Sequence, residues 1–150
     1  MLQVGVMGMG NKPIQIDRED IALVVPGGTR INLATQKALQ EEAADVRRYF
    51  QEASIVQDPI EGYFVGSERV QRLGFFAPPT TRITYEQVTV DRSTLALGYL
   101  FFRAPADTFA EGRYTLEIFN KEVDVKLPLY LPASKAPKLG KDKDGKTIPW

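Results

Sequence analysis

The side chains of this chain with the most obvious chemical potential are carboxylates. Asp17, Glu19 and Asp20 fall within one short stretch, and Asp91 and Asp107 sit in other turn-rich segments. Loop carboxylates gathered at one end of a β-domain can bind calcium, which takes about six to eight oxygen ligands in flexible geometry. Loop carboxylates are usually just solvated, and that is the plainer reading of these residues. A hydrolase built on paired carboxylates needs two of them across a cleft, and no spacing here marks such a pair. Neither His nor Cys occurs in the 150 residues. That removes thiol nucleophiles, disulfides, Ser-His-Asp triads and nearly all zinc or copper sites. It also removes the side chain best suited to proton transfer near neutral pH. The expectation is therefore a protein that is not an enzyme, with no catalytic, cofactor-binding or metal-binding residues and no cofactor.

Four further segments carry partial motifs. Gly5, Gly8 and Gly10 run in the order G-x-x-G-x-G and lead to Asn11-Lys12-Pro13, whereas a dinucleotide fingerprint is G-x-G-x-x-G opening a helix. A flexible or glycine-packed edge is the expectation. Pro26-Gly27-Gly28-Thr29-Arg30 precedes a helical stretch but is separated from it by Ile31 to Ala34, so it reads as a turn joining two strands. Asp142-Lys143-Asp144-Gly145 lacks the further acidic positions of a calcium loop. Arg47 and Arg48 stand beside Tyr49 and Phe50, an ordinary wet helix face. Phe75 or Phe76, next to Ala77-Pro78-Pro79, would anchor an interface if exposed; core packing is the plainer reading.

These motifs hang on a mainly β framework. Ile14/Ile16, then Ile21/Leu23/Val25, then Thr29/Ile31/Leu33 alternate as strands. Leu39, Ala43, Val46, Phe50 and Ala53 form one apolar stripe, predicting a single helix over about 33–54, capped by Asn32 or Thr35. Strand candidates follow at Tyr63–Val65, Val70–Phe76 and Thr84–Val90. Leu95 to Phe102 is apolar on both faces, as a covered central strand is. Tyr114, Leu116 and Ile118, a turn at Asn120-Lys121, and Val123 through Leu131 make the clearest hairpin. Pro128 and Pro132 place its second strand at an edge. Residues 1–132 form one domain with the helix inserted, and 133–150 a basic tail. No run approaches a membrane-spanning length, and 19 basic against 19 acidic residues argue against nucleic acid.

Phe109-Ala110-Glu111-Gly112-Arg113-Tyr114 resembles the E–F corner of immunoglobulin-like β-sandwiches. The resemblance spans roughly Leu95–Leu131. It implies an antiparallel sandwich in which Gly112 and Tyr114 are a structural corner, the Tyr hydroxyl bonding back to the backbone upstream. Such domains are common outside the cytoplasm, which leans the compartment that way, although Met1–Gly10 lacks the basic region of a secretory leader.

The tail carries Lys135, Lys138, Lys141, Lys143 and Lys146 against Asp142 and Asp144, a net of +3. Since the whole chain sums to zero, residues 1–132 carry −3. Its composition offers no means of ordering itself, and Ile148-Pro149-Trp150 is an apolar anchor. The leading expectation is a non-catalytic structural or adaptor subunit of a larger or homo-oligomeric protein assembly. It docks through sheet surface and tail, with Lys138, Lys141, Ile148 and Trp150 on the partner. The alternative is a small-ligand, carbohydrate or calcium-binding domain with exposed aromatics such as Tyr63, Phe64 or Tyr99 at its site.

Overall fold

A computed structural model describes residues 1–55, 60, 63, 64, 69–73, 75, 87–106 and 108–132. The alternating runs become strands: β1 (Leu2–Met7), β2 (Ile14–Asp17), β3 (Ile21–Val24), β4 (Arg30–Asn32), β5 (Arg69–Leu73), β6 (Gln87–Val90), β7 (Thr94–Leu100), β8 (Gly112–Phe119) and β9 (Asp124–Leu131). They form three sheets, ordered β1-β7-β5, β2-β6 and β4-β3-β8-β9. The protein is mainly β, compatible with a sandwich. Alternation works because period-2 side chains from all three sheets meet in one core. Val4, Ile16, Ile21, Val88, Leu100 and Leu116 are among its buried members.

One pairing departs from the antiparallel expectation. β5 lies parallel to β7, with Leu73 opposite Gly98. A parallel pair needs a crossover of at least a dozen or so residues, and the connection from Leu73 to Thr94 provides it, with β6 paired to β2 on the way. β7 is nevertheless central, and Leu95, Ala96 and Leu100 are almost fully buried. The Pro26–Thr29 segment is the expected turn between β3 and β4. Gly27 and Gly28 take positive φ there, and Gly28 N–H donates to Val25 O at 2.9 Å.

The single helix expected over 33–54 is two helices. Leu33 instead bridges Phe102, and Ala34 N–H donates to Phe101 O at 2.8 Å. Thr35 then caps α1 (Gln36–Glu41), its Oγ1 accepting from Ala38 N–H at 3.2 Å. Glu42 leaves helical geometry at φ −102° and ψ 23°, and α2 runs over Ala43–Ile55. The stripe hides this break. Leu39, Ala43 and Val46 stay buried across it, because spacing reports which face is covered and not whether the carbonyl ladder is continuous.

Arg18 fastens helices and sheets together. Ile14, Ile16 and Arg18 share the inward parity, and Arg18 is 8% exposed. Its guanidinium donates to Phe75 O at 3.0 Å and to Ala34 O, and the Gln36 side-chain amide donates to Phe75 O as well. The chain after β5, the entry to α1 and the β2–β3 corner thus converge on one cation. Polar groups this deep must be hydrogen-bonded, and these are.

Candidate functional site

The β8–β9 hairpin builds the most distinctive surface. Its turn is held by Asn120, whose Oδ1 accepts from Glu122 N–H at 2.8 Å and Val123 N–H at 3.0 Å. Its other end is a corner. Tyr114 is 3% exposed, and its hydroxyl donates to Ala110 O at 2.6 Å. The ring meets Phe109 edge to face, centroids 5.9 Å apart. Gly112 has φ +156°, and a Cβ there would lie 2.8 Å from Pro26 Cγ, so the corner is closed against the β3–β4 turn.

The register pairs Ile118 with Val125, Leu116 with Leu127 and Tyr114 with Leu129 on the core side. The β8 members are buried. Val125 and Leu127, facing the same way, are 38% and 48% exposed. Between β9 and the residues of β1 and β2 lies a slot of about 450 Å³. Met7, Met9, Ile14 and Ile16 form one wall, Ile118, Val125 and Leu127 the other, with Glu122 and Asp124 at its rim. Lys12 Nζ sits 2.8 Å from Glu122, holding that carboxyl below the usual range. The Asp124 carboxylate forms no salt bridge among the described residues.

β9 is the edge strand that its prolines implied. Pro128 stands opposite Thr115 within the ladder. Having no N–H, it belongs to a pair that exchanges no hydrogen bonds, so its nitrogen faces the outer edge and interrupts that row of donors. Such an edge is poorly suited to strand addition. What β9 offers is its uncovered inner face.

Asp17, Asp20 and Asp91 are engaged in local hydrogen bonds. Asp20 accepts from Asp17 N–H at 2.9 Å and from the Asn120 side-chain amide at 2.7 Å, and Asp17 accepts from Gln15 at 3.1 Å. Asp91 closes the turn into β7: its Oδ1 accepts from Ser93 N–H (2.8 Å), Ser93 Oγ (2.9 Å) and Thr94 N–H (2.8 Å). Asp107 lies outside the described residues, among which no three acidic side chains group as a metal site. The Ser93 amide, the Ser93 hydroxyl and Thr94 hold Asp91 below the usual carboxylate range. A lowered folded pKa adds stability above the unfolded value, lost as pH falls through the folded one. Asp91→Asn is therefore expected to lose stability at neutral pH. It should also flatten the acid limb below the ordinary carboxylate range, as read by urea midpoints across pH.

Other sequence candidates fall apart in space. Gly5 and Gly8 serve close approach: a Cβ would lie 2.6 Å from the Phe64 ring and 2.9 Å from Asp91 Cα respectively. Tyr99 packs with Leu39, Val46 and Phe101, Phe64 lines the slot, and Tyr63 is exposed, so these aromatics do not share one pocket. Phe75 is core; Phe76 lies outside the described residues. Arg48 pairs with Asp45 at 3.0 Å and Glu52 at 4.0 Å on an exposed face. Lys138, Lys141, Ile148 and Trp150 also lie outside the described residues, and no described helix is long and apolar enough to cross a membrane. Arg18 and the exposure of Val125 and Leu127 escaped the sequence reading. Inward parity after Ile14 and Ile16 was the one signal for Arg18; nothing local signals a missing neighbour across the core.

Comparison with protein-family models, with curated proteins and with solved structures yields no match.

Proposed function

We propose that this chain is a non-catalytic docking subunit of a protein assembly, joined through the inner face of β9. The observation that carries it is the exposure of Val125 and Leu127 on the core side of their sheet. Covering the exposed part of two such side chains is favourable by about 1 kcal/mol each, a little under half the value for a fully exposed one, and an edge interrupted by Pro128 directs that burial to the face. The immunoglobulin-like reading supports the same picture, resting on the Tyr114–Ala110 corner.

The test is sedimentation of the full chain across concentration. The wild type is expected to associate, and Leu127→Lys to remain monomeric at every concentration while melting cooperatively. A wild type that stays monomeric throughout overturns the proposal for self-assembly; unchanged association in Leu127→Lys removes this face from it.

A second reading rests on the slot's volume, within the range of small-molecule sites, about 300–1,000 Å³. Its aliphatic walls suit an apolar ligand better than a sugar. Thermal shifts with apolar ligands, absent in Leu127→Lys, would favour it.

A further inference from the structure

We infer that the slot beside β9 seats the Lys146-Thr147-Ile148-Pro149-Trp150 segment of a second copy of this chain. This rests on the docking function proposed above and names its partner.

Three features of that segment match the slot. The first is spacing. Val125 and Leu127 are two residues apart on one face of β9. Ile148 and Trp150 are also two apart, so an extended chain presents both on one side, about 6.8 Å apart. Pro149 between them has no N–H and makes no demand for a ladder bond.

The second is charge. Residues 133–150 carry +3 and residues 1–132 carry −3. At the rim, Glu122 is engaged by Lys12, whereas the Asp124 carboxylate forms no salt bridge among the described residues. Lys146 precedes Ile148 by two residues, on the same side of an extended segment, and supplies the missing cation. An anionic lipid headgroup would meet Glu122 and Asp124 and be repelled.

The third is the wall. Met9 lines the slot and is 94% exposed. An unbranched thioether adapts to irregular partners and makes favourable sulfur–aromatic contacts at about 5 Å. An indole seated there covers Met9, Val125 and Leu127 together.

Trp150 is the only tryptophan in the sequence, so its fluorescence reports the seat directly. In the full chain at assembling concentration, a blue-shifted emission and several-fold weaker acrylamide quenching are expected than at high dilution. Leu127→Lys and Val125→Lys should each return Trp150 to solvent without lowering the cooperativity of melting. Met9→Ala should weaken the shielding several-fold in concentration terms. If Trp150 is solvent-exposed at every concentration, the seat is wrong, and the docking function stands only if Leu127→Lys still disperses the assembly. If Trp150 is shielded, Leu127-sensitive and independent of concentration, each chain fills its own slot and docking between copies is overturned. Shielding that survives both lysine variants places Trp150 elsewhere and overturns the inference.

Discussion

Arg18→Met should destabilise the fold by about 3 kcal/mol, a large share of the roughly 5–15 kcal/mol available to a domain. Methionine keeps much of the aliphatic volume but donates nothing. The Ala34 carbonyl then loses its guanidinium donor, and the Phe75 carbonyl retains only the Gln36 amide. Hydrogen bonds to charged groups are worth about 1.5–3 kcal/mol each, and a buried orphan carries its full desolvation cost. The opposing term is relief from burying the guanidinium itself, which is why the figure sits near the bottom of the summed range. Arg18→Lys should recover less than half, because one ammonium cannot reproduce a planar fork reaching two carbonyls. The measurement is a urea titration: the midpoint falls while the slope stays constant. A loss under about 0.5 kcal/mol, the usual effect of a surface change, would show that the guanidinium is not what joins helices to sheets.

Tyr114 separates a bond from a ring. Tyr114→Phe removes only the 2.6 Å bond to Ala110 O and should cost about 1 kcal/mol. Tyr114→Ala also empties a core site and loses the edge-to-face contact with Phe109, for about 4 kcal/mol. The hydroxyl ties the chain before β8 to its first turn, so both variants should loosen amide exchange at Ala110–Gly112 ahead of the sheet interior. Equal losses for the two variants would mean that the corner bond, and not the ring, is the whole contribution. No loss for Tyr114→Phe would reduce Tyr114 to an ordinary core aromatic.

Much of this architecture was legible in the residues. Alternation located β2, β3, β4, β6 and the β8–β9 hairpin, since successive side chains of a strand point to opposite faces and period 2 records it. Leu95 to Phe102 announced a central strand by being apolar on both faces, and β7 fills it as far as Leu100. The Gly27-Gly28 turn and the Tyr114 corner were visible because their chemistry is local. The helix stripe was right about the covered face and wrong about continuity, since Glu42 interrupts the ladder without changing the spacing. Asp91 was visible as a carboxylate, but its engagement by Ser93 and Thr94 turns on a backbone conformation that composition does not encode.

What the sequence determined by itself was therefore local: which faces are apolar, where the chain turns, that no His or Cys is present, and that the charge of residues 133–150 opposes that of the rest. What only the tertiary structure decided was relational. Arg18 became a core fastener because two distant segments, the chain after β5 and the entry to α1, each deliver a carbonyl to its guanidinium. β5 runs parallel to β7 because a long crossover allows it. Val125 and Leu127, indistinguishable in pattern from buried Leu116 and Ile118, keep part of their surface exposed because they line an open slot and not a closed core. Periodicity states which side of a strand points toward the core; whether anything stands there to meet it is a property of the neighbours.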